Sequence, residues 1–321
     1  MSARIPLAVQ SGAGLIIILI CLVVAPLFLS EFQRTLFATG VAYSVAVLGV
    51  ALGFASIGML ALTQPAMMLI GAYVALYLNT AWDWPFILSL LSATLVGMLV
   101  AVPLGWLTCR LDRFSYAVLG FSFTYLVSSL MSSGLFVKIS GGEMGKPVPP
   151  GSLLGFELGG IGGYIFVAAT TLLAFALASL IFRSSVGRML LVMRQDDVVA
   201  RSVGVNTNVF KIGLSAIVGG YGALGGVLAA QVTNYVAPPQ FDVSLSILLL
   251  AMALVGGVRY LAGAFVGTMV LWVIPAMVDL KQVDRELIGG VILLVCLVLY
   301  PEGILRGLGD LFRRFRIVRW S

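Results

Sequence analysis

Residues 35–82 form a run of 48 residues without a charged side chain. A helix that crosses the hydrocarbon core of a bilayer needs about 20 consecutive, mostly apolar residues, so this run is long enough for two crossings. The whole chain of 321 residues is 60% hydrophobic and 10% charged, whereas ordinary soluble domains are about 25% charged. So few charges cannot cover a surface that faces water. The sequence therefore predicts an all-α integral membrane protein.

Further apolar stretches bring the predicted number of transmembrane helices to about ten. The run 35–82 supplies two of them, and Pro65 with Gly49, Gly53 and Gly58 indicates an irregular segment between the two. The other predicted spans cover residues 15–29, 84–109, 114–137, 161–182, 212–236, 244–257, 260–278 and 287–300. An even number of crossings places both termini on the same side of the membrane.

The distribution of Lys and Arg indicates which side that is. Ten crossings assign 14 of the 19 basic residues to the side of the termini and 5 to the opposite side. Because cytoplasmic loops carry an excess of basic residues, we expect both termini in the cytoplasm. Residues 1–310 then form a single transmembrane domain with an outer loop at 138–160, a cytoplasmic loop at 183–211 and a basic cytoplasmic tail at 311–321.

The residue types that most catalytic and metal sites require are scarce. The chain contains no His, and its three Cys residues do not form a CxxC spacing. No Asp, Glu, Lys or Arg falls in the middle of a predicted span, although ion-coupled carriers usually keep such groups inside the membrane. We predict no catalytic residue, metal site or cofactor in this chain. A stand-alone secondary carrier or channel stays open as the less favoured alternative.

The outer loop 138–160 is rich in Gly and Pro, which prevents a helix over most of its length. Part of it resembles a phosphate-binding GxxxxGK[ST] loop. However, Ser140 takes the first Gly position, and Pro147 takes the position of the hydroxyl that would bind magnesium. We therefore do not expect nucleotide binding. The loop is predicted to face a partner or the mouth of a pathway, with a plain connector as the alternative.

The inner loop 183–211 has a helical pattern that begins near Ser185 and ends near Gly204. Asp197 and Arg201 are four residues apart, so they share one helix face and can pair. Apolar residues of the loop form a second stripe: Met189, Val192, Met193, Ala200 and Val203. These features favour a docking element for a cytosolic partner, and an ordinary solvated linker is the alternative.

Several separated motifs resemble one family, the permease subunits of branched-chain amino acid ABC importers, and specifically their M-type (LivM-like) subunits. The inner loop carries the family pattern at Gly187, Arg188, Leu190, Arg194, Asp196, Ala200, Gly204 and Asn206. Residues 215–228, 235–241 and 299–304 follow further family motifs in the same order. The outer TGGxxG motif of the M-type subunits is similar to Ser140, Gly141, Gly142 and Gly145.

One region departs from the family pattern. Thr63, Pro65 and Met67 stand where the family has Gly, Ala and an aromatic residue. This stretch is expected to lie near the pathway, so the departure bears on the substrate more than on the class of transporter. Urea, a short amide or an aromatic acid are alternative substrates, since relatives of this family carry them.

The resemblance implies a type II ABC importer-like permease in a bacterial inner membrane, surrounded by lipid and without a nucleic acid partner. It implies three further kinds of partner: a second permease (H-type, or a second copy), two cytosolic ABC ATPases that bind ATP and Mg²⁺, and a periplasmic binding protein. The residues implied to couple the permease to the ATPases are Gly187, Arg188, Arg194, Asp196, Asp197, Ala200, Arg201, Gly204 and Asn206.

Uncharged polar residues within the predicted spans are candidates for the translocation pathway. They are Thr63, Gln64, Asn79, Gln231 and Asn234, together with a discontinuity at Pro65. A zwitterionic amino acid needs hydrogen-bond partners of this kind. The alternative for each residue is a hydrogen bond between helices.

Overall fold

The described part of the chain in the computed structural model is almost entirely helical. It comprises residues 10–153, 156–157, 159–195, 200, 206–258, 260–277, 290–291, 293–296, 298 and 303–305. The main helices are α1 (Gln10–Phe28), α2 (Glu31–Ile57), α3 (Gln64–Ala81), α4 (Phe86–Thr108), α5 (Arg113–Ser132), α6 (Val137–Ser140), α7 (Gly160–Arg183), α8 (Ser185–Gln195), α9 (Thr207–Thr233), α10 (Val243–Gly256) and α11 (Leu261–Thr268). α11 continues through a π-helical segment (Met269–Val273) into α12 (Ile274–Met277).

Short elements complete the outer side of the molecule. A 3₁₀ turn covers Gly142–Met144, and a second one covers Pro238–Phe241. Strand β1 (Lys146–Pro147) pairs antiparallel with β4 (Tyr235–Val236), and β2 (Ser152–Leu153) pairs with β3 (Phe156–Glu157). The β1–β4 pair joins the outer loop to the chain that follows α9.

Hydrogen bonds at the helix ends explain where α2 begins and stops. The Ser30 hydroxyl accepts from the backbone N–H of Gln33, and the Gln33 side chain accepts from the N–H of Ser30. This capping box satisfies two of the N–H groups that a helix start leaves unpaired. α2 then runs without interruption through Gly49 and Gly53 to Gly58, whose φ of 72° is the left-handed conformation that favours glycine.

The irregular segment expected between the second and third spans therefore lies at residues 58–63. Pro65 stands in the first turn of α3, where its missing N–H removes no hydrogen bond. A discontinuity near Pro65 is thus confirmed, but Gly49 and Gly53 belong to a continuous helix.

α2 and α9 form the centre of the bundle. From Phe37 to Ile57 nearly every residue of α2 is buried, and α9 packs along α2, α3 and α4. Close approach of α9 to α3 depends on glycine: a Cβ on Gly226 would clash with the backbone of Met68, and one on Gly71 would clash with the backbone of Ala223. Small residues that let helix backbones touch are typical of helix packing in membranes.

Five described helices are long and apolar enough to cross a membrane: α2, α4, α5, α7 and α9. The predicted spans 244–257 and 260–278 appear instead as a pair bent by 118°, which is one broken span or a re-entrant loop. α10 has 14 residues and is about 21 Å long, which is less than the roughly 30 Å of the hydrocarbon core. The bend brings Gly256 against the backbone of Gly263, where a Cβ would clash.

The tenth predicted span, 287–300, lies mostly outside the described residues, as does the basic tail 311–321. About ten crossings and cytoplasmic termini therefore stay predictions, because the described helices support five spans, or six with the bent pair.

Candidate functional site

Gln64 connects three helices at the start of α3. Its side chain is fully buried, and Nε2 donates to the backbone oxygens of Ala46 on α2 (2.9 Å) and Val218 on α9 (3.3 Å). Gly49 and Gly222 leave the space for this side chain, since a Cβ at either position would crowd it. Gln64 Oε1 is buried without a partner among the described residues. The amide thus makes the hydrogen bonds between helices that were the alternative to a pathway role.

The segment before Gln64 is held by two further helices. The backbone oxygen of Leu62 accepts from Thr124 Oγ1 on α5 (3.0 Å) and from Ser246 Oγ on α10 (2.9 Å). Thr63 is buried beside it, and Gly120 of α5 approaches this backbone so closely that a Cβ would lie 3.1 Å from Leu62 Cβ. The break between α2 and α3 is therefore the point where α5 and α10 are attached to the core.

Gln231 forms a second polar site near the other end of α3. It is 3% exposed, and neither Nε2 nor Oε1 has a hydrogen-bond partner in the described part of the chain. It lines a cavity together with Asn79, Phe86 and, from the outer loop, Val148 and Pro149. The cavity measures about 10 Å³, which is space for roughly one water molecule.

The predicted pathway residues thus fall into two groups, one at Gln64 and one at Gln231 with Asn79. Gln64 and Asn79 lie 15 residues apart on α3, which corresponds to about 22 Å along the helix. Asn79 Nδ2 donates to the backbone oxygen of Trp84 at 3.3 Å. Asn234 belongs to neither group, because it caps α9 with a φ of 51° and an exposed side chain.

The outer loop is tied to α3 by a residue that the sequence did not single out. The Tyr73 hydroxyl is buried and donates to the backbone oxygen of Ser140 (2.9 Å), with a longer contact to that of Val236 (3.4 Å). A tyrosine inside an apolar span is a signal for such a bond, because its hydroxyl needs a partner when it is buried.

The glycines of the outer motif are required by the backbone. Gly141, Gly142 and Gly145 all have positive φ, between 67° and 75°. A Cβ on Gly145 would also clash with the backbone oxygen of Val236. Ser140 Oγ accepts from the N–H of Gly142 at 3.0 Å, which closes the turn. The motif therefore shapes a loop that packs against β4 and covers the cavity at Gln231.

On the predicted cytoplasmic side, α8 begins at Ser185, as the sequence predicted. Gly187 packs so closely on the last turn of α7 that a Cβ would clash with the backbone of Phe182. Leu190 and Met193 are buried, whereas Met189 and Val192 of the predicted apolar stripe are exposed at 39% and 42%. The stripe is thus divided between an inner and an outer face of α8.

Arg194 joins α8 to the end of α2. Its Nη1 donates to the backbone oxygen of Ala55 at 2.9 Å, and its guanidinium lies 5.9 Å from the centre of the Phe54 ring. Ala55 is in the last turn of α2, three residues before Gly58. A cation at a helix C-terminus also interacts favourably with the helix dipole.

The other predicted coupling residues that the structure describes do not share the contact that Arg194 makes with α2. Arg188 is exposed and its Nη1 donates to the backbone oxygen of Arg183 at 3.3 Å, while Ala200 is buried. Asn206 caps α9, because its side chain accepts from the N–H of Val209. Asp196, Asp197, Arg201 and Gly204 lie outside the described residues.

Comparison with known proteins agrees with the family resemblance of the sequence motifs. Residues 34–300 match the family model of the permease component of branched-chain amino acid transport systems. The high-affinity branched-chain amino acid transport system permease protein LivM of Salmonella typhimurium strain LT2 is 24% identical over 92% of this chain and 75% of its own length. LivM of Escherichia coli K12 is 23% identical over the same shares. No solved structure matches the chain.

Proposed function

Since the chain belongs to the family of permease components of branched-chain amino acid transport systems, we propose that it is the membrane subunit of an ATP-driven ABC importer. It carries branched-chain or similar small amino acids from the periplasm to the cytoplasm through a bacterial inner membrane. A second permease (H-type, or a second copy), two cytosolic ATPases that bind ATP and Mg²⁺, and a periplasmic binding protein complete the assembly.

The observation that carries this proposal is the hydrogen bond between Arg194 and the backbone oxygen of Ala55. An importer of this kind needs a mechanical link between the surface that meets the ATPases and the helices that move. α8 offers its exposed residues Arg188, Met189 and Val192 to such a partner. Its inner face, through Arg194, is bonded to α2.

Movement of α8 then acts on the break at residues 58–63. The end of α2 leads directly into this segment, where the backbone oxygen of Leu62 binds hydroxyls from α5 and α10. Gln64, the first residue of α3, is bonded to both α2 and α9. Packed helices shift as rigid bodies between discrete arrangements, so a displacement of α8 would change the tilt of several helices together.

At the outer end, the same movement would release the outer loop from the cavity at Gln231. The cavity has space for about one water molecule beside the Gln231 amide, and opening of the loop would expose this amide to more solvent. Alternating access requires two such arrangements of similar free energy.

The test is Arg194→Ala in the assembled transporter reconstituted with its ATPases and binding protein. We expect uptake and ligand-stimulated ATP hydrolysis to fall by about tenfold or more, while the ATPases still copurify. Arg110→Ala is the matched control, because Arg110 at the end of α4 stacks on Trp106 at 4.1 Å. The control should retain stimulation. Wild-type stimulation in Arg194→Ala would contradict the coupling role.

A further inference from the structure

The outward face of α4 carries a continuous apolar stripe. Exposed aliphatic side chains follow one another at intervals of three and four residues: Leu88, Leu91, Leu95, Leu99 and Val102. Residues at this spacing lie one above the other on a helix. With 23 residues α4 is about 35 Å long, which is enough to cross the roughly 30 Å of the hydrocarbon core. The stripe therefore suits contact with lipid tails along the whole helix.

An aromatic residue and a cation continue this stripe at the end of α4. Trp106 follows Val102 by four residues and is 47% exposed, and the exposed Arg110 follows in the turn after the helix. The Arg110 guanidinium lies over the Trp106 ring, 4.1 Å from its centre. Tryptophan side chains are enriched at the level of the lipid headgroups. A lipid whose tails lie on the stripe would therefore place its headgroup beside Arg110.

A second arginine lies at the same corner of the molecule. Arg113 is the first residue of α5 and is exposed. Its guanidinium packs against Gly58 at the end of α2, since a Cβ on Gly58 would lie 3.1 Å from Arg113 Cζ. Phe114 beside it is 76% exposed, so apolar surface continues next to the charge. The α4–α5 corner thus combines two cations with two exposed aromatic rings.

The one carboxylate of this corner is directed to its own helix. Asp112 accepts from the hydroxyl of Ser115 and from the backbone N–H of Phe114. No ion pair joins it to Arg110 or Arg113 in the described part of the chain. Both guanidinium groups therefore keep hydrogen-bond donors for an anion.

The opposite end of α4 has aromatic residues without a cation. Trp82 and Trp84 precede the helix, with their ring centres 5.7 Å apart, and the exposed residue between them is Asp83. Both ends of the helix thus have the aromatic residues typical of a membrane interface. Only the Arg110 end has a charge that favours an anionic headgroup.

We propose that Trp106, Arg110 and Arg113 form a binding site for the headgroup of an anionic phospholipid, whose tails lie along the outward stripe of α4. A planar guanidinium binds phosphate oxygens through two parallel hydrogen bonds. A zwitterionic lipid also carries a phosphate, but its cationic group is repelled by the two arginines. The inference requires only that the chain lies in a bilayer, so it is independent of the proposed function.

The experiment measures lipid contact at Trp106 directly. The full chain is reconstituted into phosphatidylcholine vesicles with Trp106 as its only tryptophan, after replacement of Trp82, Trp84, Trp272 and Trp320 by Phe. Phosphatidylglycerol and phosphatidylcholine with brominated tails are then compared, because bromine quenches the fluorescence of a tryptophan that it contacts. A chain with Trp82 as its only tryptophan is the matched control, since Trp82 is 58% exposed beside Asp83.

We expect phosphatidylglycerol to bind at Trp106 roughly fivefold more tightly than phosphatidylcholine, the effect of about one cation at a membrane surface. At Trp82 the two lipids should bind equally, or phosphatidylglycerol more weakly. Arg110→Gln together with Arg113→Gln should bring the ratio at Trp106 to about one. Lys138→Gln together with Lys146→Gln, which removes the same net charge from the outer loop, should leave it unchanged.

Three results would overturn the inference: equal binding of the two lipids at Trp106, an equal preference at Trp82, or a preference that persists in the double arginine variant. Unchanged quenching of Trp82 in that double variant shows that it is folded. The complete transporter tests a protein occupant. If the two arginine substitutions release the ATPases while the lipid ratio at Trp106 stays the same, the corner binds a protein and the lipid site is wrong.

Discussion

The hydroxyl of Tyr73, buried within α3, donates a hydrogen bond of 2.9 Å to the backbone oxygen of Ser140 in the outer loop. The two residues are 67 positions apart in the sequence. This bond and the β1–β4 pair attach the loop to the helices that it covers. The Tyr73 hydroxyl is thus the contact from α3 that helps to hold the loop above the cavity at Gln231.

Tyr73→Phe should loosen the outer loop. The change removes the donor and leaves the buried Ser140 oxygen without this partner, at a cost of about 1–3 kcal/mol. We expect faster hydrogen exchange of the amides of residues 137–148 and faster proteolysis in the same segment. Tyr77→Phe is the control, because Tyr77 is 45% exposed one turn further along α3. Equal exchange in both variants would argue against the attachment.

Gln64→Leu and Gln231→Leu should have opposite consequences for stability. Gln64 donates two hydrogen bonds to backbone oxygens, so its replacement should lower stability by about 1–3 kcal/mol. Gln231 has no partner for either amide atom among the described residues, so an apolar side chain of similar size should leave stability equal or higher. Thermal unfolding in detergent measures both. A larger loss for Gln231→Leu would contradict the assigned hydrogen bonding.

Gly226→Ala should weaken the contact between α9 and α3. The new methyl group would clash with the backbone of Met68, which cannot move as a side chain can, so we expect a loss of about 1–3 kcal/mol or more. Gly213→Ala on the same helix is the control, since no atom lies within 4 Å of its Cβ position. That variant should gain about 0.5–1 kcal/mol from helix propensity. Equal melting temperatures for the two variants would contradict the packing.

Asp112 should make the start of α5 sensitive to acid. The hydroxyl of Ser115 and nearby backbone N–H groups donate to its carboxylate, and they lower its pKa below the ordinary value. A carboxyl whose pKa is depressed by folding stabilises the folded state above its unfolded pKa, and this contribution disappears as the pH falls through the folded pKa.

We therefore expect a small decrease in melting temperature below a pH of about 4, the region in which aspartate titrates. Asp112→Asn keeps an oxygen that can cap the helix but does not ionise. The difference between wild type and this variant should vary with pH in the acid range and stay constant above it. A difference that is the same at all pH values would show that the charge of Asp112 has no role.

Much of the helical framework could be predicted from the sequence, because a membrane helix is recognised from a local property. Apolar runs between charges correctly indicated α2, α4, α5, α7 and α9, and the break near Pro65. The start of α8 near Ser185 was also predicted. The bent pair was not predicted, since hydropathy does not report that Gly256 and Gly263 pack backbone to backbone.

The sequence identifies Gln64 and Gln231 as polar residues within apolar runs, but it does not indicate their hydrogen-bond partners. Gln64 and Gln231 are the same residue type in similar apolar surroundings, yet one has two partners and the other has none in the described structure. The partners of Gln64 are 18 and 154 residues away, so no local pattern indicates them. The role of Tyr73 was missed for the same reason.

The sequence by itself determined that the chain lies in a membrane, that it is helical and that it resembles one family of permeases. These properties follow from composition and from motifs that are contiguous or closely spaced. Only the tertiary structure decided that Arg194 bonds to α2, that Leu62 receives hydroxyls from α5 and α10, and that Gln64 bonds to α2 and α9. Each of these contacts depends on which distant helices meet and on the rotation of each helix about its axis. The close packing of glycine-lined helix surfaces in the bundle decides both.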